Sequence, residues 1–444
     1  NSGFTGALEL TVNSRSSSND YKACIGGISG TNEELISNCA AKCTISVDDK
    51  NSSVLKRYIG GICGEIGDAE VRSCTFDGTI SANGSGNEYT GGIAGIINTS
   101  DSNAKPVIQN CTSNGKIEKG GVTGGILGTC EENSSSIYIQ DCRNHSMIES
   151  TWCSTVAGGI CGKFNYGHQI TIQNCLNDGD ITVIAARENG RECYLGGILG
   201  HVSDSAAYAN LDSCVNHGEL TCNLTGKWDS DYGSFYSKSY CGGIAGKVNS
   251  CSITNCYNTG AVTNLLEDSN WVALYSGGIV GYLNNNSSEF SNLYNTGVVS
   301  GDGAGISGYG AAETNSACYY SSESAVKAVG NLSADPDGII SKNNANMQKL
   351  NFVSSLGDAY VYNEGGYPLL AWESGQVVVR LDKSDIVLSE FGETETLTAK
   401  TNTTSNQVTW LSSDPKVATV EDGVVTAVGN GTAVIYAICG DTRA

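Results

Sequence analysis

The chain has 444 residues, more than one hydrophobic core normally serves, so we expect two or three domains, or an elongated repeat domain with an added module. Its 46 acidic residues outnumber its 25 lysines and arginines, and the net charge of −21 argues against a nucleic-acid partner. No apolar run is long enough to span a bilayer, and 57 glycines with only 4 prolines exclude a collagen-like chain. The glycines must therefore serve repeated turns.

The chain begins with Asn1-Ser2-Gly3, which matches the Asn-x-Gly element in the middle of later repeats. The first repeat therefore starts halfway through, and we expect the natural protein to extend upstream. The first ten residues lack the basic start and apolar stretch of a signal peptide, so they do not identify the compartment.

A Gly-Gly-Ile core recurs every 31 to 46 residues and defines a repeat. Its first glycine is Gly26, Gly60, Gly91, Gly124, Gly158, Gly196, Gly242 or Gly277, and a weaker Ala304-Gly305-Ile306 follows. Between the cores lie short alternating runs such as Ile170-Thr171-Ile172, which predict β-strands. Units this short cannot bury a core alone, so we expect about eight coils to stack, with neighbours ~4.8 Å apart.

A polar residue followed by cysteine marks a second column of the repeat. The cysteines are Cys39, Cys74, Cys111, Cys142, Cys175, Cys214 and Cys256, and Leu293 takes the position in the eighth unit. Four residues later a glycine recurs at Gly78, Gly115, Gly179, Gly218, Gly260 and Gly297. A glycine at that point suits a tight turn with positive φ. We expect the cysteines to form a ladder inside the stacked coils.

The repeats resemble the GLUG repeat, whose Gly-Gly-Ile-x-Gly and Asn-Cys-Tyr-Asn-Thr-Gly patterns are matched best by residues 242–260. The resemblance covers about residues 1–310. Such repeats occur in bacterial surface adhesins and in some IgA-specific metallopeptidases, so the resemblance implies an extracellular or cell-surface bacterial protein, of which this chain is a fragment. The predicted fold class is all-β, with a right-handed parallel β-helix-like solenoid over residues 1–310.

Residues 311–375 are predicted to cap the solenoid, because an open end leaves strand edges that would template aggregation. The repeat stops after Cys318, and residues 343–356 are the one segment with helical spacing. The expected apolar face of this helix consists of Ala345, Met347, Leu350 and Val353.

Residues 376–444 change to short alternating strands, as in a β-sandwich. The predicted strands are Val377–Leu381, Ile386–Leu388, Glu395–Ala399, Val408–Trp410, Val417–Val420, Val424–Val428 and Ala433–Ala437. The segment resembles the bacterial Ig-like domain of group 2 through residues 408–414, 417–420 and 423–427. The resemblance implies a spacer or an adhesive module. Such domains usually continue with a further edge strand, so we expect a sandwich truncated at Ala444.

The 19 cysteines raise disulfides and metal sites as alternatives to a reduced, buried ladder. The exchange with Leu293 favours small apolar side chains in the core, and the absence of CxxC pairs argues against zinc. His145, Asp178 and His217 should share one turn column in successive coils. A solvated polar ladder is favoured there over a metal or anion site, because turns prefer polar residues. We predict no metal and no cofactor.

The sequence contains no HExxH, no G-x-S-x-G and no P-loop, so the metallopeptidase of some GLUG proteins is not part of this chain. No catalytic residue can be assigned among its 46 acids. The sequence favours a binding protein over an enzyme, and enzymes of the β-helix type that act on polysaccharides stay open as an alternative.

Most of the length variation falls between the turn glycine and the next Gly-Gly core, which puts the variable loops on one edge of the solenoid. The longest loop, residues 219–240, and its neighbours carry aromatic and acidic side chains suited to stacking on sugars or contacting a protein. The candidate ligand-binding residues are Trp152, Trp228, Asp229, Asp231, Tyr232, Tyr236 and Trp271. Alternatively, these aromatic side chains cover a small core within the loop.

Three functions are compatible with the sequence. The first is a monomeric cell-surface or secreted adhesin whose loops bind a host or community glycan or an extracellular protein. The second is a β-helix polysaccharide lyase or glycosidase with Asp229 or Asp231 near its cleft. The third is a structural stalk that binds nothing.

Overall fold

The computed structural model consists almost entirely of β-strands, and it divides into two units, residues 1–357 and 358–444, each described by itself. The structure describes residues 3–12, 22–49, 56–82, 87–101, 103–118, 120–130, 136–152, 154–165, 169–186, 192–203, 207–225, 237–266, 272–284, 287–374, 379–381, 383, 386–401, 408–439 and 442–443. The first unit is a parallel β-solenoid, as the repeats predict.

Two sheets of the solenoid flank the Gly-Gly corner. The pre-glycine sheet has eight parallel strands that each end on the first glycine of a core: Lys22–Gly26, Lys56–Gly60, Glu88–Gly91, Val122–Gly124, Val156–Gly158, Glu192–Gly196, Ser237–Gly242 and Val272–Gly277. The post-glycine sheet has eight strands that begin directly after the isoleucine: Ser29–Asn32, Cys63–Ile66, Ala94–Ile97, Leu127–Cys130, Cys161–Phe164, Leu199–Val202, Ala245–Val248 and Val280–Leu283.

A third sheet, the cysteine sheet, runs through the remainder of each coil and contains 22 strands. They are Gly3–Val12, Ile36–Ser37, Ala40–Asp49, Glu70–Arg72, Thr75–Ala82, Val107–Gln109, Thr112–Glu118, Ser136–Gln140, Arg143–Asn144, Met147–Ser150, Gln169–Gln173, Leu176–Asn177, Ile181–Ala186, Tyr208–Asp212, Val215–Asn216, Leu220–Thr225, Ser250–Thr254, Tyr257–Asn258, Val262–Leu266, Glu289–Asn295, Thr314–Ser321 and Ile339–Lys342.

The repeats stack in the register that the Gly-Gly-Ile cores predict. Gly60 pairs with Gly91, and Gly91 pairs with Gly124. The isoleucine of the core is fully buried from the second coil onward, at Ile62, Ile93, Ile126, Ile160, Ile198, Ile244 and Ile279. Equivalent residues therefore line one continuous hydrophobic core, since each coil covers the apolar face of its neighbour.

The cysteine column is also interior. Cys74, Cys111, Cys142, Cys175, Cys214 and Cys256 are fully buried, and the cysteines in the described residues carry free thiols. The residue before each position of this column, which continues through Leu293 to Cys318, has positive φ of 51–55°. These residues are Asn38, Ser73, Asn110, Asp141, Asn174, Ser213, Asn255, Asn292 and Ala317. Asn and Asp dominate these positions because they tolerate the left-handed region better than other residues with a side chain. The sharp corner of each coil is therefore made directly before the cysteine.

The glycines four residues after the cysteine differ in role: Gly115 has positive φ, 121°, as its turn position predicts, whereas Gly218 does not. The backbone at Gly218 lies outside the left-handed region, so positive φ is not the reason for glycine there. A Cβ atom at Gly218 would lie 2.2 Å from the carbonyl oxygen of Gly179 in the preceding coil. Glycine is required because the backbones of adjacent coils approach closely at this point.

A ladder of asparagines runs through the interior, two residues after the cysteines. Its members, Asn144, Asn177, Asn216, Asn258 and Asn295, are fully buried. Each of the first four donates a hydrogen bond from Nδ2 to Oδ1 of the next, over 2.7–2.8 Å. The amides thereby satisfy one another along the solenoid axis.

The solenoid ends with two short helices, Asn344–Met347 and Leu350–Leu356, where the sequence predicts one. The predicted apolar face is wrong in part, because Met347 is buried but Leu350 is 64% exposed. The second helix instead turns Phe352 and Leu356 inward, and the ring of Phe352 packs edge-on against Tyr319 with centroids 5.0 Å apart. Lys349, in extended conformation, separates the helices and resets which face is buried.

The second unit contains short antiparallel strands. Two of its sheets are pairs of strands: Tyr360–Val361 with Leu369–Leu370, and Val379–Leu381 with Ala399–Thr401. One three-stranded sheet consists of Thr394–Thr396, Val424–Ala427 and Ala418–Glu421. Another consists of Thr409–Ser412, Ile435–Cys439 and Thr442–Arg443. Residues 386–388, predicted as a strand, form none. Val387 is 87% exposed, so its apolar side chain gains no burial there. The short strand Thr442–Arg443 extends the sheet edge beyond Ile435–Cys439.

Candidate functional site

The outer faces of the pre-glycine and post-glycine sheets face each other across the Gly-Gly corner. Side chains alternate along a strand, so Leu195 enters the core while Tyr194 points outward. The chain then turns so sharply that a Cβ at Gly196 would lie 2.0 Å from the carbonyl oxygen of Leu199. This corner brings Tyr194 against the outward side chain of His201, and the two rings stack with centroids 4.0 Å apart.

Five tyrosines of successive coils meet at this place and form what we call the tyrosine cluster: Tyr194, Tyr240, Tyr275, Tyr282 and Tyr309. The first three are in register on the pre-glycine sheet, and their rings stack at centroid distances of 5.0 and 5.3 Å. Tyr282 and Tyr309 belong to the opposite side and stack at 4.7 Å. Tyr282 also meets Tyr240 and Tyr275 edge-on, at 5.3 and 5.0 Å, so the two stacks touch.

The tyrosine cluster is buried at its centre and most open at the last coil. Tyr240 is 2% exposed, whereas Tyr309 is 37% exposed, and the three remaining rings are half-buried. Offset and edge-on pairs of this kind stabilise a fold by ~0.5–1.5 kcal/mol each. The aromatic surface that is left over lies on the last coils.

A carboxylate, Glu192, binds the tyrosine hydroxyls at the Tyr194 end of the tyrosine cluster. Glu192 accepts hydrogen bonds from the hydroxyls of Tyr194 and Tyr240, and Lys238 Nζ lies 3.6 Å from its Oε1. Burial opposes the charge of Glu192, but these hydroxyls and the charges of Lys247 and Lys238 hold its pKa below the usual value. Burial and the Glu192 carboxylate raise the pKa of both phenols. At neutral pH the carboxyl is therefore ionised and both phenols keep their protons.

Two lysines and a histidine lie in register beside the tyrosines, at Lys163, His201 and Lys247 of three successive coils. His201 is 9% exposed, and burial together with the charges of the two lysines lowers its pKa to about 3. Lys247 Nζ lies 4.8 Å from the ring centroid of Tyr240, which is cation–π distance. Burial lowers the pKa of both lysines.

Comparison with protein families finds two matches within the chain. Residues 57–81 match the GLUG motif, and residues 379–444 match the bacterial Ig-like domain of group 2. The chain carries a GLUG repeat and a C-terminal bacterial Ig-like domain. Both kinds of domain are typical of bacterial surface or extracellular proteins. Comparison with curated proteins and with solved structures finds no significant match.

The first GLUG coils fill the same outward positions with a different set of side chains. Glu65 accepts hydrogen bonds from Lys22 Nζ at 2.6 Å, Cys24 Sγ at 3.0 Å and Asn98 Nδ2 at 2.8 Å. Burial, followed by the hydrogen bond to Glu65, raises the pKa of Cys24 to about 12, so its thiol stays protonated. This group consists of polar side chains that satisfy each other, and beside it Tyr58 and Tyr89 form a tilted ring pair with centroids 5.5 Å apart. The larger double stack is found in the later coils.

Of the residues predicted from the loops of the GLUG coils, Trp152 is described and half-buried. Its backbone N–H donates to Ser150 Oγ and its carbonyl accepts from Thr155 Oγ1, so it lies in a tight turn before the strand Val156–Gly158. The other predicted ligand-binding residues, Trp228, Asp229, Asp231, Tyr232, Tyr236 and Trp271, lie outside the described residues.

The strands that carry Tyr194, Tyr240 and Tyr275 follow the variable segments in sequence. Residues 187–191, 226–236 and 267–271, which lie outside the described residues, directly precede these strands in the chain. Sequence reasoning placed Tyr240 among the aromatic residues of the longest variable segment. It assigned the repeating positions to stacking and so passed over Tyr194, Tyr275, Tyr282 and Tyr309. The available signal was a tyrosine two residues before the first core glycine in five of the eight repeats, and five residues after the start of the core in the last two.

The turn column of His145, Asp178 and His217 is present as predicted. His145 Nδ1 lies 3.0 Å from Asp178 Oδ2, and His217 Nδ1 lies 2.7 Å from Thr259 Oγ1 of the following coil. Within the described residues, no group of three or more His, Cys, Asp and Glu side chains is arranged to hold a metal ion.

Neither helix of the described residues, at four and seven residues, has the length to cross a membrane.

Proposed function

We propose that this chain is the ligand-binding part of a bacterial surface or secreted protein, and that its tyrosine cluster binds a carbohydrate chain. The single observation that carries the proposal is the double stack of five tyrosines over the last coils, with Tyr309 exposed at its open end. Aromatic faces next to polar groups suit sugar rings, which offer C–H faces and hydroxyls together.

The geometry supports a ligand that is extended along the solenoid axis. Equivalent rings repeat once per coil, at centroid distances of 4.7–5.3 Å within each stack. The rings within a stack cover each other's faces, so successive sugar units of a glycan would meet the edges of successive rings, and Tyr309 is the most exposed ring. Glu192, which is held by the tyrosine hydroxyls, offers a fixed acceptor for sugar hydroxyls at the Tyr194 end of the cluster.

The variable loops are proposed to form one wall of this site. The support for this proposal is that Trp228 and Trp271 shortly precede, in sequence, two strands that carry tyrosines of the cluster. In this arrangement the repeats supply the aromatic floor, and the loops supply specificity. The Ig-like domain would act as a spacer, a proposal that rests on the family resemblance.

An enzyme that acts on polysaccharide is the second candidate, and the cluster favours it less. Most glycosidases need a pair of carboxylates, one of them with a raised pKa as the acid. Glu192 is the one carboxylate that contacts the cluster within the described residues, and its pKa is lowered. A lyase is distinguished by its products, and a stalk by its failure to bind.

The test is a glycan-array screen of the whole chain, followed by calorimetry on the strongest ligand. We expect Tyr282→Ala and Tyr309→Ala to weaken binding about tenfold, as the loss of one aromatic stacking contact predicts. Tyr138→Ala, which removes a half-buried tyrosine on the cysteine sheet, is the matched control and should bind normally. Trp228→Ala should weaken binding with little change in melting temperature.

Three results would overturn the proposal. Binding to no glycan would favour the stalk. Release of shorter or unsaturated products would make the chain an enzyme. Equal losses in the Tyr138→Ala and Tyr282→Ala variants would show that the tyrosines act through stability and not through contact with the ligand.

A further inference from the structure

Lys163 and Lys247 are two half-buried cations without a carboxylate at ion-pair distance within the described residues. Other lysines of the solenoid differ: Lys22 reaches Glu65, Lys116 reaches Glu118 and Glu149, and Lys238 reaches Glu192. In a chain of net charge −21, carboxylates are abundant. What sets these two lysines apart is that both are half-buried in one column of successive coils, where Glu192 acts on Lys247 from beyond ion-pair distance.

The two lysines lie on either side of one residue. Lys163 pairs in register with His201, and His201 pairs with Lys247, so the lysines belong to coils on opposite sides of the histidine. His201 has no hydrogen-bond partner at Nδ1 within the described residues. It is neutral at physiological pH, because its pKa is about 3. The column therefore presents two positive charges that are separated by a neutral ring.

We infer that this column binds the anionic group of an acidic sugar, and that the ligand of the tyrosine cluster carries such a unit. The inference rests on the proposed carbohydrate function. Lys247 belongs to both places, because its Nζ contacts the ring faces of Tyr194 and Tyr240. A sugar that stacks on the tyrosines can therefore direct a carboxylate towards Lys247 and Lys163.

The charge of the whole chain limits the ligand further. A surface with net charge −21 repels long polyanions, and two lysines cannot offset that repulsion along an entire chain. The ligand that fits is a largely neutral glycan with one acidic unit. A uniformly charged polymer such as heparin does not fit.

The test compares matched probes on the whole chain. An oligosaccharide with one glucuronic acid is compared with its carboxyl-reduced form, which has the same size but no charge. We expect the acidic form to bind about tenfold more tightly, as charge-assisted hydrogen bonds predict. A singly sulfated analogue distinguishes a carboxylate from another anion, and heparin should bind weakly.

Lys163→Met is the decisive variant, because Lys163 makes no ring contact with the tyrosine cluster in the described residues. It should remove most of the preference for the acidic probe and leave affinity for the reduced probe unchanged. Lys116→Met removes a lysine of the cysteine sheet and is the matched control. Melting temperatures establish that each variant is folded.

The outcomes separate this inference from the proposal beneath it. Equal affinity for both probes, or a preference that survives Lys163→Met and Lys247→Met together, overturns the acidic-sugar inference and leaves carbohydrate binding intact. Tight binding of heparin also contradicts it. Failure of every probe and every array glycan to bind overturns both.

Discussion

Asn177 donates a hydrogen bond from Nδ2 to Oδ1 of Asn216 in the next coil, at 2.7 Å and out of contact with water. Asn216 in turn donates to Oδ1 of Asn258 and to the carbonyl of Gly218. Each amide in the ladder is thus both donor and acceptor. Removal of one amide leaves buried polar groups on both sides without their partners.

We expect Asn216→Ala to lower the free energy of unfolding by about 2–4 kcal/mol, because two buried amides each lose a hydrogen bond. Urea denaturation measures the change. Asn210→Ala is the control, since Asn210 is a half-buried residue on the outer face of the same sheet, and it should cost less than about 0.5 kcal/mol. Similar losses in both variants would contradict a stabilising role for the ladder.

Gly218 distinguishes close stacking of the coils from a turn with positive φ. A Cβ there meets the carbonyl oxygen of Gly179, so Gly218→Ala and Gly218→Asn should both destabilise by about 1–3 kcal/mol or more. Asparagine would be tolerated if positive φ were the requirement. Gly301, with φ of 64° and open space around it, is the opposite case, and Gly301→Asn should be mild. Thermal unfolding of the variants compares the two sites.

Cys175→Ser tests the buried cysteine column. The Cys175 thiol approaches the carbonyls of Gln173 at 3.2 Å and Ile139 at 3.6 Å, distances suited to sulfur. A hydroxyl is smaller and more polar, so we expect a loss of about 1–3 kcal/mol of stability without an effect on ligand binding. Cys39→Ser changes a half-buried member of the same column and should cost less. An unchanged melting temperature for Cys175→Ser would count against the packing argument.

His201 should make the stability of the protein depend on pH. Its pKa is about 3 in the folded chain against an ordinary value of 6.5, because burial and the charges of Lys163 and Lys247 disfavour the imidazolium. Between these pH values the unfolded chain binds a proton that the folded chain does not. The contribution of His201 to the free energy of unfolding is therefore fully present above pH 6.5. It falls by about 1.4 kcal/mol per pH unit as the pH decreases towards 3.

Urea denaturation of wild type and His201→Phe between pH 7 and 4 measures this contribution as the difference between two slopes. Phenylalanine keeps an aromatic ring against Tyr194 but cannot titrate, so the variant should lose less stability in acid. In Lys247→Met the folded pKa of His201 should rise, and the total loss should become smaller. Parallel curves for wild type and His201→Phe would show that the histidine does not contribute.

The repeat and its interior could be predicted from the sequence because each coil has the same packing problem as the next. Gly-Gly-Ile at a regular period implies that equivalent residues stack, and the register Gly60–Gly91–Gly124 confirms it. The Ig-like module was predicted in the same way, from the motifs in residues 408–427. Short elements outside the repeat were not predicted correctly. Residues 386–388 form no strand, and the segment predicted as one helix forms two.

The candidate site could not be predicted in this way. Tyr194 and His201 are seven residues apart, and Tyr240 and Tyr282 belong to different coils, yet these pairs form ring contacts. Their meeting depends on how sharply the backbone turns at Gly196, which follows from the approach of Gly196 to the Leu199 carbonyl. Neither composition nor periodicity expresses that angle.

The sequence by itself determined the stacking register and the buried columns, because these follow from a repeated pattern of apolar side chains and glycines. Only the tertiary structure decided which outward side chains share a surface. The physical reason is that the core selects the side chains that point inward, whereas contacts between outward side chains are set by the angle between two sheets. The tyrosine cluster and the lysine column belong to that second class.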